Sequence, residues 1–284
     1  MPTASHTDPN ANHGPAAPVT ALLLPGYSPD LAWLARALNA DRVILDDLHP
    51  FSRKSRVHRT KIRTPDGHQW LTIPFVSDDR RKPIRHVRID DRRPWLRHHL
   101  QALEFNYRNS PYFDFYEPEI RADLETAAGC VFLVDAVRHM MVRQWTYLEF
   151  PEFPQWASDL VPGMDAGMDA GTDPSPGPTL YDLVADDRTT VWQEPDSRNY
   201  QKPHPDAAHP DAAQPDAVQN DAVQNAAAQP NAVQNDAVQP VIQIPEYRQH
   251  FPGFVPGCGL LDLLFEYGPD SWQVLDGLAL KSRT

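Results

Sequence analysis

A chain of 284 residues with 41% hydrophobic residues, 7 Trp and 11 Phe has the apolar surface for a packed core, in one large domain or two small ones. Its net charge of −12 argues against a general nucleic-acid binder, and no stretch approaches the ~18 consecutive apolar residues of a membrane helix. Two distant cysteines exclude a disulfide framework or cysteine-built zinc site, and the opening MPTASHTDPNANHGPAAP has no basic-then-apolar signal, so a soluble protein of a reducing, cytoplasmic compartment is expected.

Residues 1–18 read as a disordered Pro/Ala/Asn tail. Val19–Pro25 is a short apolar run ending in a proline, a buried strand. Ser28-Pro29-Asp30 marks a helix start, with Ser28 at the N-cap and Pro29 at the first helical position. The helix Asp30–Asn39 places Leu31, Leu34, Ala35 and Leu38 on one face, and the apolar run Arg42–Leu45 ends in Asp46-Asp47. Strand, helix and strand in close succession predict a Rossmann-like βαβ unit, whose ligands bind beyond the C-terminal ends of the strands. Pro25-Gly26-Tyr27 and Asp46-Asp47 occupy that position.

Thr60–Arg63 and Gln69–Pro74 then flank Thr64-Pro65-Asp66-Gly67, a hairpin turn. Alternation in Ile84–Ile89 predicts another strand. Pro94–Asn109 reads as an amphipathic helix carrying Trp95, His99, Leu103 and Tyr107 at helical spacing, ended by Ser110-Pro111. Further helices are expected at Pro118–Thr126, Cys130–Tyr147 and Leu260–Tyr267, the last closed by Gly268-Pro269. Leu180–Leu183 and Thr189–Trp192 read as a small helix and strand.

Between these lies low complexity. Gly163–Asp173 repeats GMDA, and from His204 to Val238 a pentad recurs seven times with Ala and Val as its apolar members. A β-helix needs a bulky interior residue in each repeat, so a flexible insertion is the expectation. The organisation is therefore an ordered core at 19–160, a low-complexity loop at 161–179, a short ordered segment at 180–200, the pentad repeat at 201–243, a C-terminal helical block at 244–277 packed on the core, and a tail at 278–284. The fold class is α/β: an N-terminal Rossmann-like βαβ unit, a β-hairpin and a helical second half, interrupted by disordered insertions.

Arg53 to Arg97 carries 14 Lys/Arg against 5 Asp/Glu, a segment at +9 in a chain at −12. Such a block steers an anionic partner. On a strand Arg59, Lys61 and Arg63 share a face, and guanidinium groups take phosphate bidentately. The segment lacks interleaved aromatics, so a small anionic ligand rather than nucleic acid is the expected partner. His98 and His99 diverge by ~100° on their helix, and His99 shares the Trp95 side. It is the candidate general base, with a satisfied core histidine as the alternative. The P-loop, dinucleotide-binding, esterase and zincin signatures are absent, and the acidic residues show no metal-ligand spacing, so no metal is assigned.

Taken in order, LLLPGYSP, DDLHPFSRKSRVHRTKI, QWLTIPF, IRHVRIDDRRPWLRHHLQALEFNYRNSPYFDFY, DSRNY and YRQHFPGFVPGCGLLDLLFEYGPDSW resemble the WbqC-like family, in its Bacteroidetes-type version. The resemblance covers about 19–150 and 244–276. Arg59, Trp95, His99, Glu104, Tyr107, Ser110 and Pro111 match the family pattern. Leu24 stands where many members have glutamine, and His58 where the family's RNR stretch has asparagine. The resemblance implies acyl or aminoacyl transfer to an amino sugar in O-antigen or other surface polysaccharide biosynthesis. On that reading His99 is the general base, oriented by Asp46 or Glu104. Tyr27, Arg59, Lys61, Trp95 and Tyr107 bind a phosphorylated or nucleotide-linked sugar. No cofactor is identified beyond an activated acyl or aminoacyl donor. The alternative is a non-catalytic binding or scaffold protein for an anionic metabolite, and the oligomeric state stays open.

Overall fold

The computed structural model describes residues 18–161, 188–191 and 244–278, all within one compact unit. The tail, Leu180–Leu183, the GMDA stretch and the pentad repeat lie outside the described residues. The apolar run VTALL forms β1 (Val19–Leu23), which is buried on both faces as a central parallel strand must be. The helix α1 (Leu31–Leu38) returns the chain to β2 (Arg42–Leu45), parallel to β1 with Leu23 beside Leu45. Beyond β2 comes the two-residue strand β5 (Gln155–Trp156), and on the other side of β1 lies β6 (Arg188–Val191), both again parallel. The sheet order is β5-β2-β1-β6, so the molecule is mixed α/β with a small parallel sheet.

Two local expectations are corrected here. Asp30, not Ser28, caps α1: its Oδ1 accepts the Trp33 N–H at 2.9 Å, while the Ser28 hydroxyl donates to Gln144 Oε1 at 2.7 Å. Ile84–Ile89 is not a strand. Pro83 opens a single 3-10 turn at Ile84–His86, and the segment's N–H groups go to separate loops, those of Ile84 and Arg85 to His49 O and Asp47 O after β2 and that of Ile89 to Val131 O. Its alternation reflects Ile84, Val87 and Ile89 plugging the core without a partner strand.

The hairpin forms as its turn residues dictate. Strands β3 (Arg59–Thr64) and β4 (Gly67–Thr72) pair antiparallel across Pro65-Asp66, with Lys61 opposite Trp70 and Arg63 opposite His68. Ile62 and Leu71 on the other face are buried.

Three long helices follow, α2 (Trp95–Tyr107), α3 (Phe113–Ala128) and α4 (Leu133–Tyr147). Helix α3 starts at Phe113 rather than Pro118, because Phe113 and Tyr116 are buried and their packing outweighs the boundary a proline sets. Helix α4 starts at Leu133 rather than Cys130, with Phe132 at its N-cap.

A later helix, α6 (Leu260–Tyr267), follows the short α5 (Ala157–Leu160) in chain order and is apolar almost all round. It packs among β3, α3 and α4, with Phe265 against Tyr107 and Phe113 at ring distances of 5.0 and 5.2 Å. Just before it, the Gly259 N–H donates to Lys61 O and the Leu260 N–H to Pro29 O, both at 2.8 Å. A Cβ at Gly259 would lie 2.1 Å from Thr60 Oγ1 and 2.9 Å from Ser28 O, so only glycine lets these backbones meet. The loop after β1, the hairpin and the Gly257–Gly259 turn thus converge.

Candidate functional site

The basic segment is partly consumed by its own carboxylates. Asp79, buried, takes Arg88 Nε at 2.8 Å and Lys82 Nζ at 2.6 Å, which hold its carboxyl far below the usual range. Asp90 takes Arg92 and Arg93. A further group of cations, Arg56, Arg59 and Lys61, gathers at the hairpin.

Because Lys61 and Trp70 are directly opposed, the indole lies under the cationic side chains. The Arg59 guanidinium carbon is 4.5 Å from the ring centroid, and Arg56 and Lys61 Nζ are each 5.4 Å from it. Arg56 is steered by Asp30 Oδ2 at 3.1 Å and by Gly257 O at 3.0 Å. Arg59 is braced by the carbonyls of Ser55 and Lys54. Among the described residues the Lys61 ammonium has no hydrogen-bond or ion-pair partner, and it lies against the indole. Burial and the neighbouring Arg56 hold its ammonium below the usual lysine range. Three cations gathered over one indole form a face suited to an anion.

Arg63 does not join that row. It is 3% exposed, and its guanidinium donates to the carbonyls of Thr64, Gly67 and Pro252. The C-terminal block covers this end of the hairpin, so strand alternation puts Arg63 on the cationic side without leaving it there as a free charge. In its place the structure adds Trp70 and His68, which sequence reading passed over. The signal was available: a two-residue turn at Pro65-Asp66 fixes the register and sets Trp70 across from Lys61. The aromatic missing from the basic strand itself is supplied by its neighbour.

His99 sits elsewhere, in a closed chain of groups. It is 2% exposed, Nε2 meets Thr72 O at 3.2 Å, and Nδ1 meets the buried Tyr27 hydroxyl at 2.9 Å. A carbonyl can only accept, so Nε2 carries the proton and Tyr27 donates to Nδ1. Trp95 closes one side at a ring distance of 4.9 Å. Tyr27, Trp95 and His99 are therefore brought together, but both imidazole nitrogens are engaged. Asp46 and Glu104 do not enter this chain. Asp46 lies 3.7 Å from His49 and keeps one buried oxygen without a partner, while Glu104 is exposed. Asp47 accepts the Ser158 N–H at 3.0 Å, which starts α5.

Tyr107 belongs to a second buried cluster. Its hydroxyl donates to Asp262 Oδ1 at 2.6 Å and accepts the Arg63 N–H at 2.8 Å. Tyr247 and Gln249 donate to Asp262 Oδ2 at 2.6 and 3.0 Å. Cys258, nearby, has its thiol pushed up to about 12 by burial and then by Asp262, so it is a packing group rather than a nucleophile.

Burial fixes a pH dependence. His58 and His99 are both pushed from the usual 6.5 down to about 4, chiefly by desolvation. The unfolded chain then binds protons that the folded chain refuses, so stability is full above pH 6.5 and falls as pH drops towards 4. Each histidine contributes roughly 3 kcal/mol across that window. Asp262, whose carboxyl burial pushes up, acts in the opposite sense. Unfolding free energies measured from pH 7 to 4.5 should fall, and His99→Gln should flatten the slope. An unchanged slope in that variant would mean His99 titrates normally.

The model of the WbqC-like protein family matches residues 25–167, half of the chain, from the loop after β1 through the hairpin and α4. The uncharacterized protein Rv1507c of Mycobacterium tuberculosis (strain ATCC 25618 / H37Rv) is 30% identical over 94 residues, 33% of this chain and 40% of the length of that protein. No solved structure matches. With half of the chain matched by the family model, the chain belongs to the WbqC-like protein family.

Proposed function

We propose that the chain binds a small phosphorylated ligand, of the phosphorylated or nucleotide-linked amino-sugar kind, on the Trp70 face of the hairpin. The observation that carries this reading is the convergence of Arg56, Arg59 and Lys61 on one indole, with Lys61 given no acceptor among the described residues. Guanidinium and ammonium groups take the phosphoryl oxygens, and the indole edge offers an apolar wall to the sugar or base. The order of the parallel strands, with the chain's first strand between its second and a later one, supports reading the sheet as Rossmann-like.

Acyl or aminoacyl transfer to the ligand's amine, in surface polysaccharide biosynthesis, is the further step that the family resemblance favours. Within it, the closed Tyr27–His99–Thr72 chain supports a positioning role for His99 over proton transfer.

Calorimetric titration with uridine diphosphate-N-acetylglucosamine tests the binding step. Saturable binding that weakens several-fold between low and physiological salt is expected, because partly exposed charges are screened. Tighter binding of a short single-stranded oligonucleotide than of the nucleotide sugar would overturn the small-ligand reading.

A further inference from the structure

His68 stands on the same face. Register places it opposite Arg63 and two residues from Trp70, and its ring meets the indole edge-on at 6.3 Å. The imidazole is exposed, and among the described residues it has no hydrogen bond and no ion pair. The charges that act on it are those of Lys61 from β3 and Arg56 from the preceding loop, while Arg63, opposite it, has its guanidinium already turned to carbonyls. A histidine ringed by like charge gains nothing from the protein alone by being protonated. Its neighbours make sense once an anion lies among them.

Resting on the binding site proposed above, we infer that His68 is a fourth ligand-contacting residue, which takes up a proton when a phosphate- or sulfate-type dianion docks beside Lys61. Without the anion, partial desolvation, Lys61 and Arg56 hold its imidazole below the usual histidine range. With the anion in place the sign of the local field reverses, a buffer proton binds the imidazole, and the imidazolium donates to the dianion. No other bond is made or broken. Binding of a dianion is then proton-linked, and dianionic phosphoryl groups are preferred over monoanionic carboxylates.

Sulfate tests this directly, because it carries no titrating proton near neutrality. The His68 ring resonance, assigned with His68→Gln, is titrated by NMR in sodium sulfate and in sodium chloride of equal ionic strength. A His68 midpoint about one unit higher in sulfate is expected. Sulfate affinity should correspondingly rise about three- to sixfold from pH 8 to pH 6, a dependence that His68→Gln flattens. Equal His68 midpoints in the two salts would overturn the inference. If the Trp70 indole still responds to sulfate in that case, the binding face stands and only the role of His68 falls. A silent Trp70 would remove both.

Discussion

Replacing Asp262 with Ala is expected to lower the melting temperature by about 10 °C. Asp262 is 0% exposed and accepts hydrogen bonds from the hydroxyls of Tyr107 and Tyr247 and from the amide of Gln249. Removing the carboxylate strands the two tyrosine hydroxyl donors, while Gln249 keeps the Val255 carbonyl, and opens a cavity between α6 and the hairpin. Each stranded donor costs about 1–3 kcal/mol, and non-additivity within one cluster brings the sum to roughly 3–5 kcal/mol. For an ordered region of this size, 1 kcal/mol moves the midpoint by about 2–4 °C. Asp262→Asn keeps one acceptor and should lose about half as much. A thermal melt of Asp262→Ala within 3 °C of the parent would show that the cluster rearranges or is hydrated. It would also undo the claim that the C-terminal block locks the hairpin in place.

That lock is where sequence reading ran out. The βαβ start, the hairpin and the helical half are written locally, in apolar runs, turn residues and helical spacing, so they are visible residue by residue. Partners across the chain are not. His99 and Tyr27 are 72 positions apart, and Tyr107 and Asp262 are 155 apart, so no periodicity announces either pair. Arg63 illustrates the cost. Its strand position puts it in line with Arg59 and Lys61, but the carbonyl of Pro252, from beyond both insertions, draws it inside. Asp46 fails for the same reason: its place at the end of β2 is legible, but its neighbour is His49 rather than His99. Trp70 is the opposite case, since register alone brings it under Lys61.

At that position the second large effect is expected. Lys61→Met should weaken binding of the nucleotide sugar by about 10- to 100-fold, the loss of one or two charge-assisted hydrogen bonds. The variant should leave the fold intact. The Lys61 ammonium has no hydrogen bond to break among the described residues, and methionine keeps an apolar stem over Trp70. Arg59→Ala should also weaken binding, but it removes the braces to Ser55 and Lys54 as well, so its melting temperature must be read beside its affinity. Arg80→Ala and Arg81→Ala, exposed in the turn before Lys82, should change affinity less than twofold. Calorimetry on the four variants separates a pocket from a field. Equal losses at all positions would mean that only the summed charge matters.

The claim that the ligand sits on the hairpin is tested most directly by the tryptophan indole N–H signals. Trp70 is the indole beneath the cations, whereas Trp33 donates to Leu24 O beside the end of β1, and Trp145 donates to Glu152 O. With assignments from Trp70→Phe, NMR titration with uridine diphosphate-N-acetylglucosamine should shift the Trp70 resonance and leave those of Trp33 and Trp145 in place. Lys61→Met should abolish the response at the same ligand concentration. A shift at Trp33 with Trp70 unmoved would put the ligand in the strand-end crevice and contradict the account.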